Sequence, residues 1–212
     1  MTNDLIDRLT SDLKPIPLRA LEKRIWLALA IGLFATILVG PLVLDLLVGR
    51  AFGGAWGNSM FWSKLAYTIG LGSLGLIAVP ALSRPDQTPI WPLLLASALA
   101  VLALIVGTLG WMQSGWAMPV LMGGTAMVCP WLIIVTSAPL LAVLLSVMRR
   151  FAPSSPTMAG LAAGLLSGGF GAATYAFYCG ETSMMFMATW YSLGVALTAL
   201  LGAIIGRYLL RW

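Results

Sequence analysis

The residues best suited to chemistry are Cys129 and Cys179, the only two cysteines, and Glu181, the only acid in the C-terminal half. Two thiols offer three chemistries. They can close a disulfide, if their Cα atoms come within about 4.4–6.8 Å. They can capture a soft metal as a thiolate pair, with Glu181 as a third ligand. Or they are two small buried hydrophobes with no role. A structural zinc site usually wants four ligands, and with no histidine in the chain such a site is hard to complete. The same absence removes Ser-His-Asp and Cys-His catalysis, HExxH zinc chemistry, His-ligated haem and histidine pH sensing. No obligatory cofactor is expected, only a transient soft-metal ion at the cysteine pair, and no enzymatic activity.

The elements that position these residues are apolar. Hydrophobic residues make up 60% of the 212 and charged ones 9%, where soluble domains carry roughly 25% charge. Apolar runs of about 18 residues or more are long enough to cross a bilayer. The fold class expected is all-α: a polytopic bundle of six transmembrane helices in residues 25–212, after a cytoplasmic segment, 1–24. The spans fall at about 25–47, 63–82, 91–111, 129–147, 157–178 and 185–210. Cations gather at span ends rather than in a basic patch, so no direct nucleic-acid contact is expected. Placing both termini in the cytoplasm puts ten Lys and Arg residues inside and only Arg50 and Lys64 outside, as the positive-inside rule favours. Lys64 and Asp45 are then interfacial charges. Cys129, at the start of span four, and Cys179, at the end of span five, both fall on the outer side, where a disulfide can persist. A loose, exposed and adjustable pair suits a sensor better than a permanent staple.

Spans five and six carry small residues every four positions: Gly160, Gly164, Gly168, Ala172 and Ala176 on one, Gly194, Thr198, Gly202 and Gly206 on the other. Such stripes let helix backbones approach closely in lipid. A tight hairpin of these two helices is expected, and it fixes the turn that holds Cys179.

Residues 1–24 begin with a short amphipathic helix. Leu5, Ile6, Leu9 and Leu13 share one face, with Asp4, Asp7, Arg8, Ser11 and Asp12 on the other. The acid-rich polar face is poor for anionic lipid, so a partner groove that takes the leucine face is the sharper reading.

The opening run Thr2 to Pro15, Cys129-Pro130, Tyr175 to Glu181, Trp190 to Gly194 and Leu200 to Arg207, in that order and spacing, resemble the NrsF-type membrane anti-sigma factors. These negatively regulate an extracytoplasmic-function (ECF) sigma factor. The resemblance spans the chain. It implies a bacterial inner-membrane protein that sequesters its sigma factor and releases it on a periplasmic stress signal, such as heavy metal or oxidant. Cys129 and Cys179 match the sensing positions, and the N-terminal segment would bind the sigma factor through Asp4, Leu5, Ile6, Arg8, Leu9 and Leu13. Many members have histidine before the second cysteine and proline after it. Tyr178 and Gly180 stand here instead, which favours thiol chemistry over metal ligation.

Two other classes compete. A small transporter or channel subunit usually keeps ionisable groups at mid-membrane, and the spans offer Ser, Thr and Tyr there. A membrane thiol oxidoreductase ordinarily uses a CxxC pair, whereas these cysteines stand fifty residues apart.

Overall fold

The computed structural model describes residues 20–49, 53, 55–84, 89–151 and 153–211. The expected N-terminal helix and its candidate partner-binding residues lie outside these. The described residues are helical, without a strand: α1 (Ala20–Val48), α2 (Ser59–Leu82), α3 (Trp91–Gln113), α4 (Met118–Met122), α5 (Cys129–Met148), α6 (Pro156–Ala176) and α7 (Met184–Leu209). Local signals set the starts. The Asn58 side chain accepts the Met60 amide at 3.0 Å to open α2, and proline sits in the first turn of α3, α4, α5 and α6. There its missing N–H costs no hydrogen bond and its fixed φ already suits a helix.

Five helices are long and apolar enough to cross a membrane: α1 over Lys23–Leu46, α2, α3, α5 and α7. Many of their large side chains point outward. On α3 the buried residues are Pro92, Ala96, Ala103 and Gly107, while Leu94, Leu95, Val101, Leu102, Ile105 and Leu109 are exposed. Exposed apolar surface on that scale calls for an apolar neighbour, so the distribution is compatible with lipid. α6, at 21 residues, has the length of the others but is glycine- and alanine-rich. Its position explains the composition. Helices α7, α2, α5 and α1 all pack on it, and almost every residue from Ala159 to Ala176 is buried. A helix sheathed in protein needs small residues more than lipophilic ones.

The expected hairpin of the last two long helices forms, and glycine is what permits it. A Cβ on Gly206 would stand 2.8 Å from the Gly160 Cα, one on Gly202 2.9 Å from the Gly164 Cα, and one on Gly168 3.2 Å from the Val195 Cα. Gly194 departs from the stripe: its neighbour is Ile133 of α5, 2.8 Å from a Cβ placed there. A second small-residue seam escapes the four-residue spacing. On the other face of α6, a Cβ on Gly169 would meet the Gly72 Cα at 2.5 Å, and one on Gly75 would meet the Leu166 amide at 2.5 Å. Both α2 and α7 are therefore locked to α6 by backbone contact.

Two apolar clusters occupy opposite ends of the bundle. One joins Ile25, Ala28 and Leu29 of α1 to Ala78, Val79 and Leu82 of α2, Leu144 and Met148 of α5, and Leu210. The other holds Leu44, Ala126, Cys129, Tyr175, Cys179, Phe186 and Tyr191.

Candidate functional site

The second cluster is organised by the segment between α6 and α7. That connection runs over residues 177–183, longer than the five or six residues expected, and its backbone turns onto the first residues of α7. Ser183 caps α7, accepting the Phe186 amide at 3.2 Å, and donates to the Val120 carbonyl of α4 at 2.6 Å. Helix α7 then loosens into a π-helical turn, Met187–Tyr191. Such turns are often found at functional sites. This one directs the Trp190 indole N–H to the Leu121 carbonyl at 2.9 Å and Tyr191 into the bundle, where it is fully buried.

Cys129 and Cys179 come together in this cluster. Both are free thiols, and they lie within electrostatic reach of one another. The Tyr175 hydroxyl faces both, and its ring lies 5.7 Å from that of Tyr191. The Tyr191 hydroxyl is buried beside the Cys179 side chain. One expectation is corrected here. The pair is not exposed: Cys129 is 0% and Cys179 2% accessible, in a cluster that also takes in Ala126, with Met122 of α4 packed against it as part of a cap on this end.

The Glu181 carboxylate does not join the thiols. It accepts the Gly124 amide at 2.8 Å and the Thr125 hydroxyl at 3.1 Å, tying the α6–α7 connection to the loop that precedes Cys129. Gly123 makes this approach possible. Its φ is +51°, and a Cβ there would lie 2.7 Å from the Glu181 carboxyl carbon. Among the described residues no three Cys, Asp or Glu side chains converge as a metal site. The thiols stand as a pair of their own, and Glu181 as a latch.

The group that sequence reasoning missed is Lys64. Read as an interfacial charge on the outer face, it is 1% accessible instead. From the second turn of α2 its ammonium donates to the Cys179 carbonyl at 2.9 Å and to the Glu181 carbonyl, and it lies 3.5 Å from the Cys179 sulfur. The face of Tyr191 is 5.7 Å away. A lysine consumes this much burial only where its protons are satisfied, and here the turn's own backbone does it. The signal was present in the sequence. A lone cation inside an apolar run is a functional candidate by default.

A family described as "Negative regulator of sigma F" matches residues 9–212 of the chain. The "Anti-sigma-F factor NrsF" of Caulobacter vibrioides (strain NA1000 / CB15N) is 37% identical over 215 residues, covering 100% of this chain and 99% of that protein. The "Probable anti-sigma-F factor NrsF" of Azospira oryzae (strain ATCC BAA-33 / DSM 13638 / PS) is 34% identical over 213 residues, with 100% and 99% covered. No solved structure matches. With a relative this similar along its full length and a match that takes in both thiols and the whole bundle, the chain belongs to the NrsF family, the negative regulators of sigma F.

Proposed function

We propose that this chain is an inner-membrane anti-sigma factor that crosses the bilayer six times with both termini in the cytoplasm. In this reading α6 is the sixth span, carried by its neighbours rather than by its own hydropathy. Residues 1–24 hold an ECF sigma factor through Leu5, Ile6, Leu9 and Leu13, flanked by Asp4 and Arg8. A heavy metal or oxidant reaching the periplasmic end acts on Cys129 and Cys179, and the sigma factor is released.

The observation that carries this reading is the separation of the two ends. The thiols lie in one apolar cluster and the start of α1, where residues 1–24 attach, lies in the opposite one. A handle and a trigger on opposite sides of a bilayer require that arrangement. The relatives' names supply the partner class. The buried pair, with no third Cys, Asp or Glu ligand beside it among the described residues, suits thiol modification or two-coordinate capture of a soft metal better than a permanent metal centre.

The test is a pull-down of the sigma factor from membranes holding the full chain or a chain without residues 1–14. The full chain should retain the sigma factor, and treatment with diamide or cadmium chloride should release it. Equal retention by the truncated chain would overturn the assignment of the handle.

A further inference from the structure

Lys64 is the one buried cation among the described residues, and neither catalysis nor ion pairing accounts for it. Its hydrogen bonds go to the two residues that define the Cys179 turn, and it comes from a helix 115 residues earlier in the chain. That helix, α2, is welded along its length to α6 through Gly72, Gly75 and Gly169. Its far end, at Ala78, Val79 and Leu82, packs in the same cluster as Ile25, Ala28 and Leu29 at the start of α1. One continuous set of contacts therefore runs from the Cys179 sulfur to the root of the N-terminal segment.

We propose that Lys64 is the residue through which α2 reads the state of Cys179, so that α2 carries the signal to the start of α1. The inference rests on the thiol-sensing reading and adds the route to it. A change at the Cys179 sulfur moves the one turn whose carbonyls the ammonium holds. Lys64 must follow or let go, and either event shifts α2 against α6. Close-packed elements have discrete arrangements rather than a continuum, so a small shift at the outer end becomes a step at the inner one. Helix α7 is the less suited carrier. Its π-helical turn, Met187–Tyr191, breaks the regular ladder between the Cys179 turn and the rest of that helix. Lys64 is in this sense a positioning residue. It senses Cys179 and acts on the output through α2.

Lys64→Met keeps the length of the side chain and removes the donors; Lys64→Arg keeps a cation with donors. In cells carrying a sigma-dependent reporter, Lys64→Met should repress as the natural chain does, and its thiols should be modified by diamide or cadmium chloride to the same extent. Its induction should nevertheless fall about tenfold, within the range of coupling between two sites. Lys64→Arg should recover at least half of the induction. A merely structural lysine would lower protein amount or repression instead. Induction of Lys64→Met equal to that of the natural chain, with Cys129→Ser/Cys179→Ser silent, overturns the coupling and leaves the sensing reading standing. Normal induction of that double variant overturns the sensing reading first.

A second measurement needs no variant. Hydrogen exchange on the full-length protein, before and after thiol modification, should change protection in the Ala78–Leu82 segment of α2 at least as much as in the Ala203–Leu209 segment of α7. A change confined to α7 overturns the proposed route.

Discussion

The Lys64 ammonium meets the Cys179 carbonyl oxygen at 2.9 Å and the sulfur of the same residue at 3.5 Å. The turn carrying Cys179 is thus held from one side by a cation on α2. From the other side it is held by its own Glu181, whose carboxylate binds Gly124 and Thr125 just ahead of Cys129. Two opposite charges, one on α2 and one on the connection itself, pin one short connection over a pair of buried thiols.

The Glu181 latch makes a first prediction. Glu181→Ala removes two charge-assisted hydrogen bonds and leaves the Gly124 amide open to water. Such bonds are worth about 1.5–3 kcal/mol each at best and less where water replaces them. The cap should open more often, and iodoacetamide should alkylate both Cys129 and Cys179 about five to ten times faster at fixed pH, as a loss of about 1 kcal/mol of local stability requires. Repression, which depends on the opposite end, should be unchanged. Equal alkylation rates would mean that the latch does not guard the thiols.

The glycine seams make a second. A Cβ at Gly164 would lie 2.5 Å from the Thr198 carbonyl oxygen and 2.6 Å from the Ala199 Cα. Gly164→Ala must therefore push α7 away from α6, at about 1–3 kcal/mol for overpacking. Gly110 on α3 has nothing within 4 Å of its Cβ position, and Gly110→Ala should be neutral or stabilise by up to about 1 kcal/mol through helix propensity. Thermal unfolding in detergent should rank Gly164→Ala well below the natural chain and Gly110→Ala at or above it.

How much of this was legible in the sequence follows from the range of each interaction. The apolar runs foretold helices, since in such runs the backbone must satisfy itself. The hairpin of α6 and α7 was also legible, because both sides of its seam repeat every four residues. The seam of α6 with α2 was not. It needs Gly169, one position off the stripe, and Gly72 and Gly75, which have no such repeat. Topology put Cys129 and Cys179 at helix ends but could not bring them together, and their burial in one cluster with Ala126, Tyr175 and Tyr191 is a product of the fold. Lys64 was visible but misread. Charge counting treats every lysine at a helix end as facing water, and only the fold reveals that two carbonyls of a distant turn receive its protons. The π-helical turn that aims Tyr191 inward left no mark in the apolar pattern.

The thiols themselves carry the third prediction. Serine is nearly isosteric with cysteine and can hydrogen-bond in its place, so Cys129→Ser with Cys179→Ser should leave the bundle intact and repression complete. Its hydroxyls cannot form a disulfide or hold a soft metal. The reporter should stay silent under diamide and under cadmium chloride, with protein amount in the membrane equal to that of the natural chain. Induction of the double variant by either agent would remove the thiols from the sensing step.

The last prediction concerns the handle, which lies outside the described residues. Leu5 and Leu9 are four positions apart in the sequence and share a face if the segment is helical. A groove that accepts a leucine face has no partner for a carboxylate, and burying one unpaired is costly enough to abolish docking. Leu5→Glu with Leu9→Glu should therefore free the sigma factor without any inducer, while the membrane content of the variant stays normal because no part of the bundle is touched. Asp7→Ala, on the opposite face, should leave repression in place. A silent reporter in the leucine double variant, at normal protein level, would mean that the sigma factor is held by another part of the cytoplasmic surface. The turn containing Arg149 and Arg150, which joins α5 to α6, would then be the segment to mutate.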